Sequence, residues 1–142
     1  MTTTPRSLDE LRRFFASAPF MVDLGVEPYE AGDGRVATRV ELSDRHRQHT
    51  GLVHAGVMGA VADHTMGAAA QTMAPAGHWA LTAEFKVSLL RAGRGQRIEC
   101  EAQVVKPGRQ VSFTEARVYA VDGGVRTLVA TASATMALVK AA

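Results

Sequence analysis

Residues 47–67 read RQHTGLVHAGVMGAVADHTMG, and Asp63 is the one acid in a run of small and apolar residues. An ionised carboxylate without partners is strongly disfavoured inside an apolar helix. Either neighbouring hydroxyls and amides satisfy Asp63 for structural reasons, or it does chemistry. The preceding segment, HTGLVHAG, ends where a helix begins. The first amides of a helix have no internal partners and sit at the positive end of its dipole. Such a site polarises a carbonyl and holds a developing oxyanion. Gln48 adds a side-chain contact to the same group or to a water. An acid–base residue and an oxyanion site together are the minimum set for hydrolysing an activated acyl group.

Counted along the helix, Gly56, Gly59, Asp63, Gly67 and Ala70 follow one another at spacings of 3, 4, 4 and 3, which is a single face. Every member except Asp63 is tiny. Glycine costs a helix roughly 1 kcal/mol relative to alanine, so something must approach this face closely, either packed backbone or a ligand. The bulkier stripes Val57–Val61–Ala68 and Met58–Ala62–Thr65–Ala69 suit packing on a sheet. Ala55 and Asp63 are eight residues apart, or ~12 Å at 1.5 Å per residue, so one carbonyl cannot touch both. Two chains with antiparallel helices would bring the helix start of one to Asp63 of the other. If catalytic in this way, the chain works as a dimer with two shared sites.

Several elements must hold these residues. SLDELRRFFAS has helical spacing, Ser7 and Glu10 form a capping box, and Pro19 marks the end of that helix. Residues 20–42 read as two strands around a turn at AGDG. An alanine-rich helix of about 19 residues starts near His54. Four strands follow, WALTAEFKVSLL, QRIECEAQVVK, QVSFTEARVYAV and RTLVATASATMALV, separated by RAGRG, PGR and DGG. KPGRQ and VDGGV are hairpin signals. The predicted fold class is α+β: one antiparallel sheet wrapped around one long central helix, with a short N-terminal helix. Trp79 and Phe85 are expected in the core, with the pocket wall as the alternative. Residues 1–142 make one domain, with 1–6 a flexible tail.

Composition narrows the chemistry. The chain has 142 residues, a net charge of +2 and 16 dispersed Lys and Arg. Nucleic-acid binding usually needs massed positive charge, so a small anionic ligand fits better. Cys100, the single cysteine, alternates with charged residues as an inward-facing strand thiol and excludes an internal disulfide. The N-terminus lacks the apolar stretch of a secretory signal, and no run approaches ~18 apolar residues. A soluble cytoplasmic protein without a membrane partner is expected. His46, His49, His54 and His64 beside Asp63 do not complete a tetrahedral set, so no metal is expected. Phosphate loops and nucleophile elbows are missing.

The segment Q-x-x-G-x-x-H-A-G, followed seven residues later by Asp63, resembles the N/Q-x-x-G-x-x-H-G-G…D/E signature of hotdog-fold acyl-CoA thioesterases, closest to the PaaI-like, phenylacetate-degradation branch. The resemblance spans roughly residues 20–139 and implies a hotdog fold and hydrolysis of an aromatic or medium-chain acyl-CoA. It implies Asp63 as general base or nucleophile, the Ala55 amide as the donor to the thioester carbonyl, and Gln48 as a placing group. It further implies His54 as support for the helix start and Thr82 as the hydroxyl that holds the attacking water. Gly56, His64, Arg109, Lys106 and Arg91 are the expected substrate-binding residues, with the arginines and lysine toward the coenzyme A phosphates. Ala55 replaces the usual glycine, keeping the N–H and adding a methyl. No cofactor is implied beyond coenzyme A as part of the substrate. A homodimer or a dimer of dimers is the implied assembly. The alternatives are a non-catalytic acyl-CoA binding module on the same fold, a hydratase or dehydratase using His54 with the carboxylate, and a purely structural dimer.

Overall fold

The computed structural model describes residues 4–142. Helix α1 (Leu8–Ala16) is capped by Ser7, whose hydroxyl accepts the Glu10 amide at 3.1 Å. Glu10 closes back onto the Arg6 amide, one residue earlier than a capping box would place it. Leu11 and Phe15 are buried. Pro19 does not terminate α1, contrary to expectation. Ser17 caps that helix, and Pro19 opens a second one, α2 (Pro19–Leu24). Proline suits a first helical turn because the amide it lacks has no helical partner there. Gly25, at φ 79°, ends α2 in the left-handed conformation, so the first strand begins at Val26 rather than near residue 20. Residues 1–3 of the expected tail lie outside the described residues. From residue 4 the chain is docked: Thr4 Oγ1 donates to Ala74 O at 3.1 Å, and Pro5 is buried.

The strands are β1 (Val26–Gly32), β2 (Arg35–Glu41), β3 (His78–Leu89), β4 (Arg97–Lys106), β5 (Val111–Asp122) and β6 (Val125–Lys140). They form one antiparallel sheet in the order β1-β2-β4-β5-β6-β3. KPGRQ and VDGGV are hairpins, as their turn residues predicted. RAGRG is a crossover instead, because β3 lies at the far edge beside β6 and the chain must return to reach β4. Helix α3 (Ala55–Gln71) is 17 residues long and packs on one face of the sheet. Both bulky stripes are buried there, from Val57, Val61 and Ala68 to Met58, Ala62, Thr65 and Ala69. Cys100 is buried among them, and burial pushes its thiol up to about 12. This is the hotdog architecture.

The two edge strands differ. β1 carries Glu27, Pro28, Glu30 and a register break between Pro28 and Glu30, devices that discourage further pairing. β3 has 12 residues and exposes Trp79, Leu81, Phe85 and Leu89. Trp79 at 38% and Phe85 at 48% exposure are therefore not core residues, which overturns the core reading and not the pocket-wall alternative. An edge strand this long and apolar offers its unpaired backbone to another chain.

Candidate active site

The start of α3 builds the first half of the site. His54 leaves the preceding loop in extended backbone (φ −64°, ψ 136°) and caps the helix. Its Nδ1 accepts the Gly56 N–H at 2.8 Å, and its carbonyl accepts the Val57 N–H at 2.9 Å. The ring proton therefore resides on Nε2. A Cβ on Gly56 would stand 2.9 Å from that Nδ1, so a glycine here lets the ring close over the amide. Among the described residues the Ala55 N–H has no acceptor. The first turn thus leaves this amide free, at the positive end of the helix.

A groove of about 710 Å³ opens around this point, lined by Gln48, His54, Ala55 and Arg91 on its polar side and by Val53, Met58, Leu89 and Leu90 on its apolar side. Gln48 is held by Thr50, whose backbone N–H and hydroxyl both donate to Gln48 Oε1, the hydroxyl at 2.7 Å. That fixes the amide and leaves its NH₂ to donate elsewhere. Arg91 gives one N–H to Leu128 O at 3.0 Å.

Asp63 belongs to the second half. Ala55, Gly59 and Asp63 form one i, i+4 row along α3. Thr82 Oγ1 donates to Asp63 Oδ1 at 2.6 Å and approaches Met136 Sδ at 3.5 Å. A bulge between Thr82 and Glu84 sets up this contact. Before it, Thr82 pairs with buried Met136 and faces the helix. After it, Phe85 pairs with buried Ala134 and also faces the helix, while Glu84 turns outward to accept from Thr135 Oγ1. One extra residue thus puts both Thr82 and Phe85 beside the small-residue face of α3, with Phe85 next to Gly59.

The structure gathers Gln48, His54, Ala55, Gly56 and Arg91 at one end of this face and Asp63 with Thr82 at the other. It does not bring the two sets together within one chain. Lys106 and Arg109 are exposed at the β4–β5 hairpin, toward the Thr82 end, since Ser112 pairs with Met136 and Met136 with Thr82. His64, expected among the substrate-binding residues, does not line the groove. Its ring stacks on Phe14 at 6.2 Å and meets the edge of Phe15 at 4.6 Å, beneath α1 and away from the groove. Burial lowers its pKa, partly opposed by Asp63, and its Nε2 has no partner among the described residues. Thr50 and the apolar walls Val53, Met58, Leu89 and Leu90 escaped the sequence reading. Only Thr50 carried a signal, a hydroxyl two residues after Gln48. Among the described residues no three His, Cys, Asp or Glu side chains converge, and no helix is long and apolar enough to cross a membrane.

A helix-cradling sheet with a free first-turn amide and a carboxylate on the same helix row can polarise a carbonyl at one end and supply a base at the other. The model of the thioesterase superfamily matches residues 50–127, and the chain belongs to that superfamily. It is similar to a thioesterase family protein from Silicibacter pomeroyi, with 34% identity over 92% of this chain and 96% of that one, at a TM-score of 0.89. A mutant form of the phenylacetic acid degradation protein PaaI from Thermus thermophilus shares 27% identity over 86% of this chain and all of its own, at 0.74. A conserved protein from Pseudomonas aeruginosa shares 28% over 86% and 94%, at 0.78. No curated protein matches the sequence. The resemblance to PaaI-like thioesterases holds.

Proposed function

We propose that the chain hydrolyses acyl-CoA thioesters carrying an aromatic or medium-length apolar acyl group, in a site completed by a second copy. The observation that carries this reading is the free Ala55 amide, opening onto a largely apolar groove on the same helix row as Asp63. The amide donates to the thioester oxygen as negative charge develops, and Gln48 donates beside it. Asp63 comes from the other protomer. It removes a proton from water as the water oxygen bonds to the carbonyl carbon. The C–S bond then breaks, and the thiolate recovers the proton, giving free acid and coenzyme A. Attack by Asp63 itself gives a mixed anhydride that water hydrolyses to the same products. Thr82 holds the carboxylate in place in either route. The long exposed β3 edge and its apolar side chains support pairing of two copies. Lys106 and Arg109 of one copy, and Arg91 of the other, would then flank the coenzyme A phosphates.

Thiol release from a panel of acyl-CoAs, run beside Asp63→Asn and Asp63→Ala, tests the assignment. Both variants are expected to lose roughly 10²–10⁴ in kcat. Full activity in either removes Asp63 from the mechanism. Addition of water to an enoyl thioester without thiol release would select the hydratase alternative. That alternative would use the proton on His54 Nε2, the ring nitrogen that the Gly56 contact leaves free.

A further inference from the structure

His46 lies outside the groove, and the mechanism above gives it no task. It is completely buried at the end of a short 3-10 turn, Asp44–His46. Its ring makes three hydrogen bonds: Nδ1 accepts the Ser43 N–H at 3.0 Å and meets the Ser43 hydroxyl at 3.4 Å, and Nε2–H donates to Leu24 O at 2.7 Å. Leu24 is the last residue of α2, where helical carbonyls lack internal partners. The imidazole therefore closes the 3-10 turn on one side and fastens it to the α2–β1 corner on the other.

The backbone of His46 continues the chain of contacts. Its carbonyl accepts the His54 N–H at 2.9 Å, and Arg47 bridges to Val53. Gln48, two residues on, donates its own N–H to Leu52 O at 2.8 Å. His54 in turn takes the Gly56 N–H and leaves the Ala55 amide free. Both groove donors, the Ala55 N–H and the Gln48 amide, thus hang on a loop whose two ends meet at His46. We infer that His46 is a positioning residue, setting the oxyanion donors of the hydrolytic site through the His46–His54 contact; this rests on the hydrolytic reading above. Apolar replacement would remove the ring partner of the Leu24 carbonyl and the Ser43 amide and empty a fully buried site, and the loop would shift in response. A displacement near 1 Å of a catalytic donor costs about a hundredfold in rate.

Three variants test this: His46→Ala, His46→Asn and His46→Gln. Asn keeps an acceptor near Ser43 and loses the tether to Leu24, whereas Gln places a donor where Nε2 stands. His46→Ala and His46→Asn are expected to lower kcat by about ten- to a hundredfold, with KM within about threefold of the original protein. The backbone amide resonances of Ala55 and Gly56 should move in both, and His46→Gln should recover most of kcat and return those resonances. If His46→Ala does not fold, His46→Asn decides. A kcat within about twofold of the original in the folded loss variant, unmoved Ala55 and Gly56 resonances, or no recovery in His46→Gln overturns the inference. Should the original protein release no thiol from any acyl-CoA, the hydrolytic reading fails by itself. The amide resonances then still report whether His46 sets the helix start.

Discussion

Asp63 and His64 are neighbours in sequence and meet opposite fates. Asp63 stands on the open face of α3 among Gly59 and Gly67, held by the hydroxyl of exposed Thr82. His64, about 100° further round the helix, is half-buried under α1 against Phe14 and Phe15, with one ring nitrogen unpartnered among the described residues. Two titratable groups side by side therefore serve different ends, because α1 covers only one of them. Glycines keep the first face accessible, and aromatic rings close the second. Variants on the open face should change rate with little change in stability, and a variant on the closed face should change how stability responds to pH.

The sharpest break on the open face is Ala55→Pro. Ala55 is the first residue of α3, a position that accepts proline. His54 already has the extended backbone, ψ 136°, that a residue before proline adopts. The substitution deletes one N–H and leaves the helix in place. We expect kcat to fall by roughly 10²–10³, with the thermal midpoint nearly unchanged. Thiol-release kinetics alongside a melting curve decide it. Undiminished turnover would show that another group holds the oxyanion.

Thr82→Val follows, with a smaller effect. Valine keeps the shape of threonine and removes the 2.6 Å hydrogen bond to Asp63. Bonds to charged groups contribute about 1.5–3 kcal/mol, and this exposed one belongs at the low end, so kcat should drop by roughly tenfold. A single-turnover assay measures the chemical step directly. An unchanged rate would mean that Asp63 is oriented by the second chain rather than by its own β3.

Much of this face was legible in the sequence because it rests on local rules. The 3, 4, 4, 3 spacing of small residues around Asp63 and the turn residues at KPGRQ and VDGGV needed only helix and hairpin geometry. His54 as support for the helix start followed from the motif, and the structure gives it form as a cap on Gly56. What escaped depends on distant partners. Pro19 reads equally as a helix end or a helix start, and only the second helix distinguishes the two. Trp79 and Phe85 look like core residues until β3 is known to be an edge. The packing of His64 against α1 is likewise invisible in its own segment. The role of His46 is of the same kind, since its partner Leu24 lies 22 residues away.

The closed face yields the last prediction. Burial lowers the pKa of His64 from 6.5, with Asp63 pulling weakly the other way. The folded chain therefore binds this proton less readily than the unfolded chain. Between the lowered folded value and 6.5 the unfolded state carries the proton and the folded state does not, so acid favours unfolding. The stabilisation tied to a neutral His64 is complete above 6.5 and is lost as pH falls toward the folded value. Melting curves at pH 7.5 and pH 5 should show the midpoint falling on acidification, and His64→Leu should flatten that fall by removing the titrating ring from between Phe14 and Phe15. Equal slopes in the two proteins would mean that the pocket under α1 admits a charged imidazole, and the contrast between the two faces of α3 would then be one of shape rather than of charge.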